Sequence, residues 1–91
     1  MYSLAIKPDL DKELAKVYRR NRRLYGIIMK KVEEIMHNPH HYKNLSYPLN
    51  LWKRVHIDKS FVLAFSVDEN SKTVTLEDFE HHDKIYKTKG R

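Results

Sequence analysis

The sequence contains no cysteine, which excludes disulfides and thiolate metal centres. A chain of 91 residues without such staples holds its fold by packing or through a partner. Only two glycines occur, Gly26 and Gly90. No glycine-rich phosphate loop can be built from them, so no nucleotide or other small-molecule cofactor is expected. No apolar run approaches the roughly 20 residues that cross a bilayer. The opening, MYSLAIKPDLDKE, turns acidic after a short apolar stretch and does not read as a secretory leader. A cytoplasmic protein with no membrane partner is expected. Repeats and low-complexity stretches are also missing, and no composition shift marks a boundary, so residues 1–91 read as a single domain.

What remains is a chain that is 41% hydrophobic, enough for one modest core. Its net charge is +6, unevenly spread. Residues 1–44 carry ten Lys and Arg against five Asp and Glu, and residues 45–91 carry eight against seven. A positive field concentrated in one half attracts polyanions, whether nucleic acid, an acidic protein or an anionic surface. The same excess also suits a solvated basic surface.

Tyr2 to Ile6 alternates loosely and stops before Pro8, as a short strand does. Asp9 or Asp11 is placed to cap a following helix, whose apolar stripe is Leu10, Leu14, Val17 and Tyr18. Asp9, Asp11 and Glu13 suit a first turn better than a paired-carboxylate site. Arg19, Arg20, Arg22 and Arg23 flank Asn21 at a helix end or connector. A second helical pattern runs from Leu24 to His37 through Ile28, Val32, Ile35 and Met36, and Pro39 stops it. Residues 40–50 read as turn. Leu51 to Ile57 alternates as a strand. Phe61 to Val67 is a near-continuous apolar run that suggests a central strand, and after the turn residues 68–72 Thr73 to Glu80 alternates through Val74, Leu76 and, after a break, Phe79. The segment after Tyr86 reads as a frayed tail. The expected architecture is α+β: a helical hairpin packed on a small antiparallel sheet, order β-α-α-β-β-β, with the far face of the sheet open.

In a basic chain of this length, that order resembles the RelE/ParE superfamily of toxin–antitoxin toxins. The segment YKNLSYPLNLWKRVHI resembles the family's entry into the sheet. SFVLAFSVDENSKTVTLEDF resembles its central hairpin, and HHDKIY (His81 to Tyr86) its C-terminal His/Tyr element, in a form similar to that of archaeal members. The resemblance implies an mRNA interferase: an endoribonuclease that cuts messenger RNA in the ribosomal A site, inhibits translation and is neutralised by a cognate antitoxin. The ribosome, mRNA and antitoxin are then the partners. The ParE branch implies instead a poison of DNA gyrase without nuclease activity, and fold alone does not choose between them. A catalytically weakened, RNA-binding member is a further alternative. Nuclease members place an Arg at the start of the central strand, where this sequence reads Ser60-Phe61-Val62-Leu63. The charge-stabilising role would pass to Arg54, Lys53 or Lys59.

The chemistry asks for particular side chains. Metal-free RNA cleavage needs a base for the 2′-OH, an acid for the leaving 5′ oxygen and a cation for the phosphorane. Histidine titrates near neutrality, and the arginine fork pairs two phosphate oxygens. His81 and His82 are adjacent on an extended segment, so only one faces any given site. His82 is favoured, with Asp83 near enough to orient it. Both also suit a polar strand end. Arg54 and His56 lie two apart and share a face, away from Lys53 and Val55. If Val55 faces the core, they form either a phosphate site or an ordinary polar outer face. Tyr86 serves phosphate or base equally well as the edge of the core. The candidate catalytic set is therefore Arg54, His56, His81, His82 and Tyr86. Lys53, Lys59, Arg19, Arg20, Arg22, Arg23, Lys30 and Lys31 are candidate RNA-backbone contacts. Trp52, the one tryptophan, suits packing better than a base platform. His37, His40, His41, His81 and His82 match no metal-ligand spacing, and no metal is expected.

Overall fold

The structure, a computed structural model, describes residues 1–84. In chain order it comprises β1 (Ser3–Ile6), α1 (Pro8–Arg20), α2 (Arg22–His37), a 3-10 turn (Pro39–His41), β2 (Lys53–Ile57), β3 (Phe61–Asp68), β4 (Thr73–His81) and a single helical turn (His82–Lys84). The expected α+β order is therefore present. The four strands lie in the order β1-β4-β3-β2. β2, β3 and β4 form the expected antiparallel meander. β1 returns to pair with β4 in parallel, Ser3 opposite Thr73 and Ile6 opposite Leu76, which makes the sheet mixed.

Local chemistry explains the helix ends. α1 begins with Pro8 at its first position, where a missing N–H costs nothing. Lys7 occupies the capping position and no side chain caps the helix, so Asp9 and Asp11 are not caps. They sit one step inside, as first-turn acids that favour the helix dipole. Asn21 separates the helices: its N–H donates to Val17 O at 2.7 Å, closing α1. Its side-chain oxygen accepts from Leu24 N at 3.0 Å, opening α2. One asparagine thus lets α2 start at Arg22, two residues before the apolar pattern begins.

The core lies between the helical hairpin and one face of the sheet. Leu10, Leu14, Leu24, Ile28, Val32 and Ile35 meet Val55, Ile57, Leu63, Phe65, Val74, Leu76 and Phe79, all buried. Asp58 and Lys72 adopt left-handed backbone (φ 56° and 53°) in the β2–β3 and β3–β4 turns. Asp68 Oδ1 accepts from the N–H of Asn70 at 2.9 Å and Ser71 at 3.3 Å, which shapes the second turn.

That second turn is pinned to the chain's start. Tyr2 donates its hydroxyl to Glu69 at 2.6 Å, Lys72 lies 2.9 Å from the same carboxylate, and His40 Nε2 contacts it from the 3-10 turn. The hydrogen bond from Tyr2, then those from Lys72 and His40, bring the Glu69 carboxyl from the usual 4.5 down to about 2. A group depressed on folding stabilises the fold above its unfolded pKa, and that contribution disappears as pH falls through the folded value. Between pH 4.5 and pH 2 the wild type should therefore lose melting temperature faster than Glu69→Gln, and the two curves should converge at the acid end. Parallel thermal-melt curves across that range would show that Glu69 carries no such linkage.

Candidate nuclease face

The far face of the sheet is built from three columns. On β2 it presents Arg54 and His56, since Val55 and Ile57 turn into the core. On β3 it presents Val62 and Ala64, both fully buried. On β4 it presents Asp78 and Glu80. Register makes these columns into rows: Arg54, Ala64 and Asp78 lie side by side, then His56, Val62 and Glu80. A bulge between Ala64 and Phe65 sets the β4 column. Leu76 pairs with Phe65 and Asp78 with Ala64, so Glu77 is the extra residue, and the in-out alternation changes phase there. The Glu77 carboxylate is held by the Ser66 hydroxyl at 2.6 Å and Lys7 at 3.3 Å.

This face is only partly open, contrary to expectation. Residues 43–52 fold back across its centre. Leu45 is buried against Val62 and Ala64, with Leu49 and Trp52 packed beside it. The apolar β3 column cannot stand in water, and this loop covers it. Trp52 is thus a packing residue. The loop is ordered by its own backbone: Leu45 N donates to Trp52 O at 2.8 Å, Trp52 N to Leu49 O at 2.9 Å and Arg54 N to Lys43 O at 2.9 Å.

At the end of the face left uncovered, the two histidine-bearing segments meet. His82 N donates to Ser60 O at 2.7 Å, which brings the end of β4 against the β2–β3 turn. The His82 ring stacks on His56, centroids 5.5 Å apart and planes 26° apart. Asp83 Oδ1 lies 3.5 Å from His82 Nδ1. His81 takes the opposite side, edge-on to the Phe61 ring at 5.9 Å, with its Nδ1 accepting the Asp83 N–H at 3.4 Å. His56 and His82 therefore come together, Arg54 shares the face of β2 with His56, and His81 does not join them.

The basic candidates divide in the same way. Arg23 pairs with Asp58 at 3.6 Å, so the arginine-rich helix junction borders the β2–β3 turn and its exposed Lys59. Arg22 lies over the Tyr18 ring at 4.2 Å. Arg20 is exposed on the same junction. Arg19 lines a groove between α1 and α2 with Leu14, Tyr18, Tyr25 and Met29. Lys53 is turned away from Arg54 and donates to Tyr42 O at 3.2 Å and Asn44 Oδ1 at 3.0 Å, where it ties down the base of the loop. Lys30 lines a second groove with Met1, Leu4 and Met36, and Lys31 pairs with Glu34 at 3.2 Å. Neither lysine joins the junction. Tyr86 lies outside the described residues.

Sequence reasoning did not place the β4 acids on this face. The Glu13 carboxyl on α1 is raised mainly by burial and then by the charges of Glu80 and Asp78, which are therefore near enough to be felt at that helix. The face thus runs from cationic on β2 to anionic on β4 across an apolar centre. The remaining histidines have separate uses: His37 Nδ1 bonds Glu33 O at 2.9 Å, His40 meets Glu69, and His41 packs edge-on to Tyr42. Among the described residues no three His, Asp or Glu side chains converge on a point that a metal ion could take.

No protein-family model matches the chain. A protein of Methanocaldococcus jannaschii named "Putative toxin RelE4" is 62% identical over 89 residues, 98% of this chain and 95% of its own length. The chain belongs to the RelE family of toxins. Solved RelE-like folds agree with this. The YoeB–YefM complex of Staphylococcus aureus contains a chain that superposes with TM-score 0.76 at 15% identity, covering 90% of this chain and 98% of that one. The RelBE2 toxin–antitoxin complex of Mycobacterium tuberculosis contains one with TM-score 0.74 at 16% identity, covering 89% and 98%. The sequence-level resemblance to RelE/ParE toxins, and the helical hairpin on a small sheet that it implied, both hold. Among the described residues no helix is long and apolar enough to cross a membrane.

Proposed function

We propose that this RelE-family chain is the toxin of a toxin–antitoxin pair and acts as a metal-independent endoribonuclease, cutting mRNA in the ribosomal A site. The observation that carries this reading is the His56–His82 stack beside Arg54 on one sheet face. His82 is the base: Asp83 Oδ1, 3.5 Å from its Nδ1, is placed to orient the ring. It removes the proton of the 2′-OH, whose oxygen bonds to the adjacent phosphorus. The bond from phosphorus to the 5′ oxygen breaks, and His56 donates the proton that oxygen needs. The products are a 2′,3′-cyclic phosphate and a 5′-hydroxyl. Arg54, two residues from His56 on the same face, pairs the equatorial oxygens as charge builds. Arg20, Arg22, Arg23 and Lys59, at the same end of the fold, hold ribosomal RNA phosphates without reading sequence. The partner that silences the toxin is an acidic or amphipathic antitoxin segment that folds on binding, matched to the net charge of +6.

The test is to map mRNA 5′ ends in a translating extract. Cuts at A-site codons should appear with the wild type, persist with His81→Ala and vanish with His82→Ala. A second reading, a gyrase-type toxin without nuclease activity, is favoured by one observation: β3, FVLAFSVD, carries no cation. If replication stops before translation and no cuts appear, that reading replaces the first.

A further inference from the structure

Two of the most exposed large apolar side chains lie on the loop that roofs the candidate face. Tyr47 and Leu51 are each 83% exposed, whereas Leu45 is 4% exposed on the underside of the same loop. The loop is two-sided: Leu45, Leu49 and Trp52 anchor it on Val62 and Ala64, and Tyr47 stands outward. Its backbone is closed by Leu45–Trp52, Trp52–Leu49 and Leu49–Ser46 hydrogen bonds of 2.8 to 2.9 Å. The ring is therefore carried on a braced support. That support is continuous with the site, because Val62 and Ala64 are the register partners of His56 and Arg54.

An aromatic ring left in water costs apolar exposure unless something covers it. The charge around it selects the cover. Residues 43–59 carry Lys43, Lys53, Arg54 and Lys59 against a single acid, Asp58; Lys53 braces the base of the loop, Arg54 stands on the outer face of β2 and Lys59 lies on the β2–β3 turn at the site's end. A flat π-face beside a cationic track is the combination that holds single-stranded nucleic acid, phosphates on the cations and a base on the ring. We infer that Tyr47 is a base-stacking platform for a nucleotide of the RNA strand entering the Arg54–His56–His82 site. This rests on the RNA reading above and adds a specificity-neutral contact outside the reacting groups.

The experiment uses the full chain and a fluorescein-labelled single-stranded RNA whose 2′-hydroxyls are methylated, so that it binds and cannot be cut. Affinity is read by anisotropy over a series of salt concentrations. Tyr47→Ala should weaken binding roughly 5- to 150-fold, the range measured for removal of one base–aromatic stack. Tyr47→Phe and Tyr47→Trp should bind like wild type. The slope of log affinity against log salt should be the same in Tyr47→Ala as in wild type, because stacking releases no counterions. Arg54→Ala should lower that slope by about 0.7, because one phosphate is no longer neutralised. Three results each overturn the platform: Tyr47→Ala binding within twofold of wild type, Tyr47→Phe losing as much as alanine, or a reduced salt slope in Tyr47→Ala. The first of these assigns the exposed loop to a protein partner instead. A wild type that does not bind the oligonucleotide overturns the platform alone where A-site cuts still appear in the translating extract, and overturns the RNA reading with it where they do not.

Discussion

Alanine at His82 is expected to lower RNA cleavage by about 10²- to 10⁴-fold, the usual contribution of one positioned acid or base, with the melting temperature nearly unchanged. His82 is only half-buried and lies beyond the end of β4, so truncating it opens no cavity in the core. The same reasoning covers its neighbours. His56→Ala should fall in the same range, since in the proposed mechanism the two rings, stacked 5.5 Å apart, divide one proton-transfer task. Arg54→Ala should cost about 10²- to 10³-fold, as removal of one preorganised oxyanion donor does. The effects will not multiply: groups acting on a single step are non-additive, and the His56→Ala/His82→Ala double variant should be little worse than the weaker single. His81→Ala is the internal control, because that ring packs on Phe61 across the sheet. The pH profile separates acid–base chemistry from mere binding. Each histidine variant should change the shape of that profile, whereas a residue used only for binding should leave the shape as in the wild type. If His82→Ala cleaves within tenfold of wild type while His81→Ala is dead, the assignment of the face is wrong.

Much of this face was legible in the sequence because β-strands have period two. Once Val55 was assigned to the core, Arg54 and His56 had to share the outer face, and adjacency alone put His81 and His82 on opposite sides. Three features were not legible, each for a physical reason. The loop of residues 43–52 has no periodicity, so its role as a cover for Val62 and Ala64 depends on tertiary packing alone. Asp78 and Glu80 reach the face through the bulge at Glu77, and a bulge shifts the phase that strand reading relies on. The parallel pairing of β1 with β4 joins residues some seventy positions apart and leaves no local mark. The helix junction was read for its arginines, whereas the residue that shapes it is Asn21, which ends one helix and caps the next. The family resemblance supplied what periodicity could not, namely that the polar end of such a sheet is where chemistry is to be sought.

The geometry at that end depends on β3, and the largest stability effect is expected there. Phe65 is fully buried on the central strand, flanked by Lys53 on β2 and Leu76 on β4. Its ring meets Tyr42 edge-on at 5.8 Å and 84°. Tyr42 in turn accepts the Lys53 ammonium through its carbonyl at the base of the loop. Phe65→Ala removes the ring from a site with helices on one side and bonded strands on both flanks, so the surroundings can collapse only in part. The cost should be about 3–5 kcal/mol. For a domain whose whole stability is about 5–15 kcal/mol, that is a large fraction. At roughly 4–8 °C per kcal/mol for a chain of this size, the melting temperature should fall by about 12–40 °C. Phe65→Leu should cost distinctly less, because it keeps most of the volume. Circular dichroism melts of the two variants give the comparison, and cleavage measured well below each melting point gives the link to function. The alanine variant should lose activity even where it is folded, since the Tyr42 ring that steadies the roofing loop then has no partner on β3. A fall of less than about 5 °C would mean that the helical hairpin closes over the cavity, and that the sheet does not depend on Phe65 to hold Arg54 and His56 in register.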